Sequence, residues 1–390
     1  MRFPEFHGEW CVSTIGEQFD LYSGNTPSRL NKEHFEGNVN WITSGELKEH
    51  YISDTKEKIS EDAATANNLK LLHPGTFVIA IYGLEADGVR GTGSITCKES
   101  TISQACMAFT QKGDVKNEFL YSWYKKHGNI IGIKYAQGTK QQNLSYDILE
   151  KFHIAYPSQD EQDKLIKFIS LLDERIASQS KLIEDLKKLK SAIIDYAINS
   201  LDTNFAKFGS LYEMAGEGGT PTTSNASFYD NGNIPFIKID DLKQKYLTEN
   251  KDFITELGLQ KSSAWLVPTH SILFSNGATI GEISITTYPV CTKQGILGIV
   301  PMQNIDVEFL YYFMSSSYFK KAVSRIVTEG TMKTAYLKDI NNILCPIPTK
   351  EKQQEIAKMP STLNSKIDFE QSILKLFCSQ KQYLLRQMFI

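Results

Sequence analysis

The stretch Leu172-Asp173-Glu174-Arg175-Ile176 decides the fold, because it returns in the second half of the chain as Leu363-Asn364-Ser365-Lys366-Ile367. The two copies are separated by about half of the chain, which far exceeds the roughly 20 to 50 residues of a solenoid or propeller unit. The chain is therefore predicted to contain two similar domains, each followed by a similar segment. The other matching pairs are Thr26-Pro27 with Thr220-Pro221, Trp41-Ile42 with Phe236-Ile237, Phe119-Leu120-Tyr121 with Phe309-Leu310-Tyr311, and Gly138-Thr139 with Gly330-Thr331.

Each copy ends in a segment whose apolar residues alternate between spacings of three and four, which is typical of a coiled-coil seam. Such a stripe can also pack against the helix's own domain. Here it occurs twice in the same phase, with polar residues interrupting both copies, which favours pairing of the two helices with each other. The seam positions are Ile169, Leu172, Ile176, Gln179, Ile183, Leu186, Lys190, Ile193 and Ala197, and then Leu363, Ile367, Glu370, Leu374, Phe377, Lys381, Leu384 and Met388.

These patterns divide the chain into an α+β domain (residues 1–157), a long central helix (158–200), a second α+β domain (201–347) and a long C-terminal helix (348–390). Short alternating or apolar runs between turn residues predict strands within the domains. The predicted strands are 39–42, 76–82, 93–97, 105–110 and 154–156 in the first domain, and 234–239, 271–274, 281–286 and 297–300 in the second; the matching helices are 117–127 and 306–316.

Chain connectivity predicts that the two long helices are antiparallel. The first helix leads into the second domain within a few residues, and the second helix leaves that domain directly after Pro348. The domains are then expected at opposite ends of the helix pair, related by a pseudo-two-fold axis. A helix of about 40 residues is about 60 Å long, which exceeds the about 34 Å of one turn of duplex. Pro360 predicts a break, with Lys350–Met359 as a separate short helix.

Composition excludes several classes of protein. No apolar run approaches the roughly 18 residues of a membrane span, and the N-terminus lacks the features of a secretory signal, so a cytoplasmic location is expected. The six cysteines and seven histidines are scattered without ligand spacing, which predicts no disulfide framework and no metal site. The net charge of −3 and the lack of a basic domain mean that any surface for nucleic acid is local or completed by partners.

Two further motifs precede or open the repeated elements. Each long helix begins with Pro157-Ser158-x-x-Glu161-Gln162 or Pro348-Thr349-x-x-Lys352-Gln353, and the chain opens with Arg2-Phe3-Pro4-Glu5-Phe6 followed by Gly8-Glu9-Trp10. Together with the duplicated domains, these motifs resemble the specificity subunit of type I restriction-modification systems over the whole chain. The resemblance implies two target-recognition domains, each reading one half of a bipartite, asymmetric site in double-stranded DNA, with the antiparallel helices setting the spacer.

The resemblance also implies partners and the absence of catalysis. It predicts docking of two adenine methyltransferase (modification) subunits, which would hold S-adenosylmethionine, and through them the motor-nuclease (restriction) subunits. The chain itself is expected to have no catalytic residue, cofactor or metal. In agreement, it lacks an Asn/Asp-Pro-Pro-Tyr loop and a Gly-x-x-x-x-Gly-Lys-Ser/Thr motif, and Gly91-Thr92-Gly93 has no third glycine. Asp240-Asp241 is interpreted as a helix cap or turn, since the matching residues are Gly45-Glu46.

Three pairs of polar loops are candidates for DNA contact, because their side chains can bind base edges and phosphates. They are the Gly-Thr loop before the last strand of each domain, the Gly-Thr-Pro loop, and the loops around Tyr82 and Asn276. A solvated loop is the alternative for each pair. The candidate residues are Thr26, Ser28, Arg29, Tyr82, Arg90, Thr139, Lys140, Gln141, Gln142 and Asn143 in the first copy, and Thr220, Thr222, Thr223, Asn276, Lys293, Gln294, Thr331, Lys333 and Thr334 in the second.

Two other classes of function remain at this stage. A non-catalytic two-domain scaffold or ligand-binding module that does not act on nucleic acid would explain the duplication and the acidity, but not the paired polar loops. A catalytic methyltransferase is opposed by the missing base-binding loop. The DNA sequence recognised and the length of its spacer do not follow from one sequence.

Overall fold

The computed structural model describes residues 1–86, 88–138, 142–277, 279–327 and 333–389. The chain forms two compact units, Met1–Gln179 with Ile373–Ile390, and Ser180–Ser372. Each unit contains one α+β domain and a part of each long helix. Within the described ranges, no helix has the length and apolar character needed to span a membrane.

Unit 1 starts with a domain of short strands and helices. A five-stranded sheet, a three-stranded sheet and a two-stranded ribbon form it. Its strands are β1 (Cys11–Thr14), β2 (Phe19–Ser23), β3 (Val39–Ile42), β4 (Tyr51–Ile52), β5 (Lys58–Ile59), β6 (Phe77–Ala80), β7 (Gly93–Thr96), β8 (Ser100–Ile102), β9 (Cys106–Gln111) and β10 (His153–Tyr156), and its helices are α1 (Ile15–Gln18), α2 (Glu61–Ala66), α3 (Asn117–Tyr135), α4 (Tyr146–Leu149) and the first part of α5 (Gln159–Asn199).

Unit 2 repeats this plan. Its strands are β11 (Phe205–Lys207), β12 (Tyr212–Glu217), β13 (Ile234–Ile237), β14 (Tyr246–Leu247), β15 (Asp252–Ile254), β16 (Ile272–Ser275), β17 (Ile283–Thr286), β18 (Cys291–Thr292), β19 (Ile296–Pro301) and β20 (Leu344–Pro346), and its helices are α6 (Glu256–Gln260), α7 (Val307–Ser315), α8 (Ser317–Ile326), α9 (Leu337–Ile340) and the first part of α10 (Lys350–Met388). The large sheets run β2-β9-β6-β7-β4 and β12-β19-β16-β17-β14, and the small ones β5-β3-β8 and β15-β13-β18.

The matching strand orders confirm the prediction of two homologous domains. Strands β6 and β16 are buried along their whole length, because a helix covers the outer face of each sheet. In unit 1, the ring of Phe77 in β6 lies 5.9 Å from Tyr121 and 5.8 Å from Tyr124, both in α3. Such continuous burial explains why these strands read as apolar runs without alternation.

Most predicted elements exist, with shifted ends. Strand β3 has the predicted bounds, but α3 continues eight residues past its predicted end at His127, to Tyr135. In unit 2 the matching helix is divided at Ser316. The Oγ of Ser316 accepts a hydrogen bond from the N–H of Phe319 at 3.2 Å, so the serine caps α8 and separates it from α7.

The Pro-x-x-x-x-Gln motif at the start of each long helix joins that helix to its own domain. Gln162 is 0% exposed and Gln353 is 1% exposed. In unit 1, the amide of Gln162 donates to the carbonyl of Pro157 at 3.0 Å and accepts from the N–H of Lys116 at 3.0 Å. Gln353 makes the equivalent bonds with Pro348 and Asp306. The buried amide therefore satisfies backbone groups where α3 or α7 begins.

In unit 1, α5 and the last part of α10 run antiparallel. Asp173 of α5 forms an ion pair with Lys381, and the guanidinium of Arg175 lies 4.3 Å from the ring centre of Phe377. The later residue of α5 thus contacts the earlier residue of α10, which is the order found in an antiparallel pair. Seam residues here also join the domain core, because Ile169 and Leu385 belong to the same buried cluster. Pairing between helices and packing on the domain thus both occur.

In unit 2, the remaining parts of the two helices are also antiparallel. The Nζ of Lys190 donates to Asn364 Oδ1 at 2.9 Å, while Ala197 and Ile356 line one cleft. Asp173 and Asn364 occupy the same position in the two copies of the repeated helix segment, residues 172–176 and 363–367. A seam lysine of one helix therefore meets the repeated Asp or Asn of the other helix in each unit.

The predicted break at Pro360 is wrong, because α10 is one helix from Lys350 to Met388 with Pro360 inside it. A proline costs a helix about 3 kcal/mol or more because it removes one backbone hydrogen bond. Pro360 is buried, and the adjacent Ser361 hydrogen-bonds Lys245 at 2.9 Å and Tyr312 at 3.1 Å. Packing and hydrogen bonds to the domain of unit 2 thus outweigh the local preference for a break.

Candidate DNA interface

Three loops that are distant in sequence converge on one groove in unit 2. Its volume is about 580 Å³. Five of the predicted DNA-contacting residues line it: Thr220, Lys293, Gln294, Lys333 and Thr334. The groove therefore collects residues from all three predicted loop pairs, and the hydroxyl, amide and ammonium groups are the kinds that bind base edges and phosphates.

Backbone hydrogen bonds hold the groove loops in place. The N–H of Lys293 donates to the carbonyl of Ile237 at 2.9 Å, and the N–H of Gln294 donates to Thr220 Oγ1 at 3.3 Å. Asn276 is 2% exposed; its N–H donates to the carbonyl of Gly295, and its carbonyl accepts from Ala335. The side-chain amide of Asn276 also donates to Ala335. Asn276 therefore positions two loops from beneath the groove.

The groove is rich in lysine but also contains carboxylates. Lys238, Lys293 and Lys333 line it together with Glu217 and Asp240. Lys238 is paired with Asp252 at 2.8 Å, and Glu217 accepts a hydrogen bond from the N–H of Gly295 at 3.0 Å. The lining thus has a small excess of positive charge, three lysines against two carboxylates, within a chain of net charge −3.

Unit 1 has the same loop framework with different side chains. The N–H of Ser103 donates to Ile42, as that of Lys293 does to Ile237, and Leu144 bonds Ile81 as Ala335 bonds Asn276. By this correspondence, the groove lysines of unit 2 are replaced in unit 1. Lys238, Lys293 and Lys333 match Thr43, Ser103 and Gln142.

Among the described residues of unit 1, Arg90, in the loop between β6 and β7, supplies a cation to this region. Its Nη2 donates to Gln142 Oε1 at 2.9 Å, so two predicted loops meet here as well. The N–H of Gln142 donates to the Glu85 carboxylate at 2.8 Å. This backbone N–H lowers the pKa of Glu85, and the charge of Arg90 acts in the same direction. Asn143 is half-buried and pairs with Gln137 through its backbone.

The Gly-Thr-Pro loops are held by their glycines. A Cβ on Gly24 would lie 1.9 Å from the carbonyl oxygen of Ile102, and one on Gly218 would lie 2.2 Å from that of Thr292. The glycines therefore permit close approach to the protein's own strands. Arg29 in this loop forms two hydrogen bonds with Glu57, at 2.6 and 2.8 Å, and its guanidinium is already occupied by a carboxylate.

The remaining candidates have varied positions. Ser28, Thr222 and Thr223 are exposed, Thr26 is half-buried, and Tyr82 packs partly against the core of unit 1. Thr139, Lys140, Gln141 and Thr331 lie outside the described residues. The assignment of individual residues to DNA contact stays a prediction.

Sequence reasoning missed Lys238 and Glu85. Lys238 directly follows the buried Phe236-Ile237 strand, as Thr43 follows Trp41-Ile42. A polar residue after a repeated strand was therefore an available signal. Glu85 lies in a loop that is longer in the first copy than in the second, so the repeat offered no counterpart.

The interpretation of Asp240-Asp241 as a cap is confirmed. The carboxylate of Asp241 accepts a hydrogen bond from the N–H of Lys238 at 2.9 Å, and Glu46 accepts one from Thr43 at 2.8 Å. Both carboxylates thus close a short turn of 3-10 helix. In the described part of the chain, no group of three or more His, Cys, Asp or Glu residues could hold a metal ion.

Both halves of the chain match one family of known proteins. A family model described as type I restriction modification DNA specificity domain matches twice, over residues 7–188 and 202–376. The type I restriction enzyme MjaIX specificity subunit of Methanocaldococcus jannaschii is 24% identical over 385 residues, covering 92% of this chain and 88% of that relative.

Solved structures share the fold. The S subunit of a type I restriction-modification system from M. genitalium matches with a TM-score of 0.56 and 19% identity, covering 100% of this chain and 99% of that one. A chain from a study of complex assembly and conformational transition of the type I R-M system matches with a TM-score of 0.65 and 14% identity, covering 98% of both chains. At these identities the likeness concerns the fold.

Proposed function

Because this chain belongs to the family of type I restriction-modification DNA specificity proteins, we propose that the groove of unit 2 and the matching loops of unit 1 each contact one half of its DNA site. The chain is the sequence-specific DNA-recognition subunit of such a complex and is not its catalyst. The observation that carries the proposal is the convergence of three polar loops on one groove, on a framework that recurs in the other copy.

The partners follow from the family. The chain binds double-stranded DNA and assembles with methyltransferase and restriction subunits. S-adenosylmethionine is proposed to be held by the methyltransferase subunits, with no cofactor in this chain. A cytoplasmic location, where chromosomal DNA is accessible, is part of the proposal. The alternative of a scaffold that does not act on nucleic acid is not favoured, since both copies match the specificity family.

The long helices are proposed to set the spacer between the two half-sites. Helices α5 and α10 run antiparallel within each unit, with a seam lysine at Asn364 or Asp173. A helix of about 40 residues is about 60 Å long, which suits half-sites more than one turn of duplex apart. The two copies differ in the side chains of these loops, with Lys293 in unit 2 where unit 1 has Ser103. Different side chains can contact different bases, so this difference is consistent with an asymmetric site.

Deletion of the gene is expected to abolish methylation of one split adenine motif in the host genome, and a plasmid copy should restore it. The reason is that the partner methyltransferase finds its adenines only through this chain. Sequencing of methylated bases with the gene present, deleted and restored measures the effect. An unchanged methylation pattern in the deletion strain would contradict the proposal.

Replacing Lys238, Lys293 and Lys333 together by glutamine is expected to weaken DNA binding by the assembled methyltransferase complex and to reduce its salt dependence. Each lysine that contacts a phosphate contributes about 0.9 to 1 to the slope of log K against log salt. Fluorescence anisotropy at several salt concentrations measures the slope. Lys207→Gln is the control, because Lys207 bonds Asn342 and lies outside the groove. Equal slopes for the triple variant and the wild type would count against phosphate contact.

A further inference from the structure

Arg90 has no charged counterpart in the second copy of the domain. The N–H of Ala80 donates to the carbonyl of Thr92 as that of Ser275 donates to the carbonyl of Glu282, so counting back two residues matches Arg90 with Ile280. A cation is therefore present in unit 1 where unit 2 has an isoleucine. This difference points to a role that belongs to one half of the DNA site.

The arginine side chain is held against α3 by close packing. A Cβ on Gly132 of α3 would lie 2.6 Å from Arg90 Cγ and 3.0 Å from its Cδ. The neighbouring Gly91 has a φ of +71°, and a Cβ there would lie 2.9 Å from the backbone nitrogen of Asn129. Two glycines thus allow the loop and the aliphatic stem of Arg90 to lie directly on the helix backbone.

A hydrogen bond orients the guanidinium of Arg90 and leaves most of its N–H groups available. The bond from Nη2 to Gln142 Oε1, at 2.9 Å, uses one of the five N–H groups of the guanidinium. Gln142 is itself fixed, because its carbonyl accepts from Leu84 at 3.0 Å and its N–H donates to Glu85 at 2.8 Å. The Gln142 side chain therefore reaches the guanidinium from a backbone that is held in place.

In the protein without DNA, some hydrogen-bond donors of Arg90 have no partner among the described residues. Within the described residues, its Nε is buried without a hydrogen-bond partner, and no carboxylate lies within ion-pair distance. Arg2 and Arg29 in the same unit bind Glu161 and Glu57. A half-buried cation with unused donors is unfavourable in a fold that gains nothing from it, and such positions in proteins are typically functional.

We propose that Arg90 reads a guanine in the half-site bound by the domain of unit 1, and that Gln142 positions it. This inference rests on the proposed function. The terminal Nη1 and Nη2 groups donate to guanine O6 and N7 in the major groove, which is the pairing that the planar fork of arginine fits best. Gln142 holds the fork before DNA arrives, so less side-chain freedom is lost on binding.

The test is to determine the methylated motif of the assembled complex with Arg90→Ala and Arg90→Lys. A single guanine in one half of the split motif is expected to relax to several bases, with discrimination reduced about 10- to 100-fold, the range for one bidentate base contact. The other half should keep its sequence. Gln142→Leu is expected to relax the same position by a smaller factor, because the arginine remains but is less well oriented.

Controls separate this role from others. Arg2→Ala should leave every motif position unchanged, since that guanidinium binds Glu161. Arg90→Lys retains the charge, so it decides the question if Arg90→Ala fails to assemble. An unchanged motif in the Arg90 variants, or a uniform loss of methylation at all positions, would overturn the inference and indicate no contact or a phosphate contact. A wild-type complex without any split motif would instead overturn the proposed function.

Discussion

The Glu308→Gln variant is expected to have a lower free energy of unfolding in unit 2, by about 2 to 4 kcal/mol. Removing one partner of a buried ion pair typically costs about 3 to 5 kcal/mol, and the Glu308 side chain keeps 28% exposure, which reduces the effect. The expected loss of stability is large because the partner of Glu308, Lys245, is buried. Its side chain is 2% exposed, and its Nζ lies 2.8 Å from Glu308, so the variant leaves a buried ammonium without a counter-ion.

The contacts of Lys245 connect the domain of unit 2 to α10. Its Nζ also donates to Ser361 of α10 at 2.9 Å and lies 4.7 Å from the ring centres of Tyr246 and Tyr312. Ser361 in turn bonds Glu308 at 2.5 Å. Loss of the carboxylate is therefore expected to loosen the contact of α7 with α10.

Hydrogen exchange of amides in α7 and β14 during urea unfolding measures the change. The matched control is Glu355→Gln in α10, whose pair with Lys352 is exposed, at 49% and 68%; such pairs contribute about 0 to 1 kcal/mol. The double variant Lys245→Met with Glu308→Leu should recover much of the loss, because it removes both charges. Equal effects of Glu308→Gln and Glu355→Gln would contradict a buried pair.

The same pair makes a pH dependence predictable. Burial opposes ionisation of Glu308, but hydrogen bonds from Lys245, Ser361 and Tyr246 outweigh it and lower the pKa below 4.5. A lowered folded-state pKa contributes stability above the unfolded value that is lost as pH falls through the folded value. The difference in unfolding free energy between the wild type and Glu308→Gln should therefore shrink below about pH 4.5. A constant difference from pH 7 to pH 3 would contradict this assignment.

The Phe389→Ala variant is expected to destabilise unit 1 by about 3 to 5 kcal/mol, the usual cost of removing a buried phenylalanine ring. Phe389 is 1% exposed, and its ring centre lies 5.1 Å from that of Phe119 in α3. Its carbonyl accepts a hydrogen bond from Lys126 at 2.5 Å. The end of α10 thus packs into the core of the domain in unit 1.

Phe369→Ala is the matched control, because this α10 residue is 60% exposed and its loss should change stability by about 0.5 kcal/mol or less. Hydrogen exchange of α3 amides in urea distinguishes the two variants, since α3 carries the partner ring. If Phe389→Ala were no more destabilising than Phe369→Ala, the packing of this segment on α3 would be refuted.

Much of the fold followed from local patterns in the chain. The repeat predicted two similar domains, and strands β3 and β13 appear where Trp41-Ile42 and Phe236-Ile237 were matched. The spacing of three and four predicted the long helices. Short connections predicted their antiparallel direction, which both units show. These features depend on residues close in sequence or on chain length, so one sequence contains enough information to predict them.

The candidate interface was predictable in composition but not in arrangement. The polar loops were identified by their chemistry and their recurrence. Their convergence depends on backbone bonds between distant residues, such as that of Lys293 with Ile237. The engagement of Arg29 by Glu57 and the support of Arg90 by Gln142 have no sequence signal either, because an arginine looks the same whether its donors are occupied or unused.

The sequence by itself determined the duplication, the domain class and the paired helices, because periodicity and connectivity are properties of the chain. Only the tertiary structure decided that α10 passes through Pro360, that Lys245 is buried against Glu308, and which polar loops meet in a groove. The physical reason is that each of these outcomes is a balance between a local cost and contacts made by residues far apart in sequence. Those contacts exist only once the chain has folded.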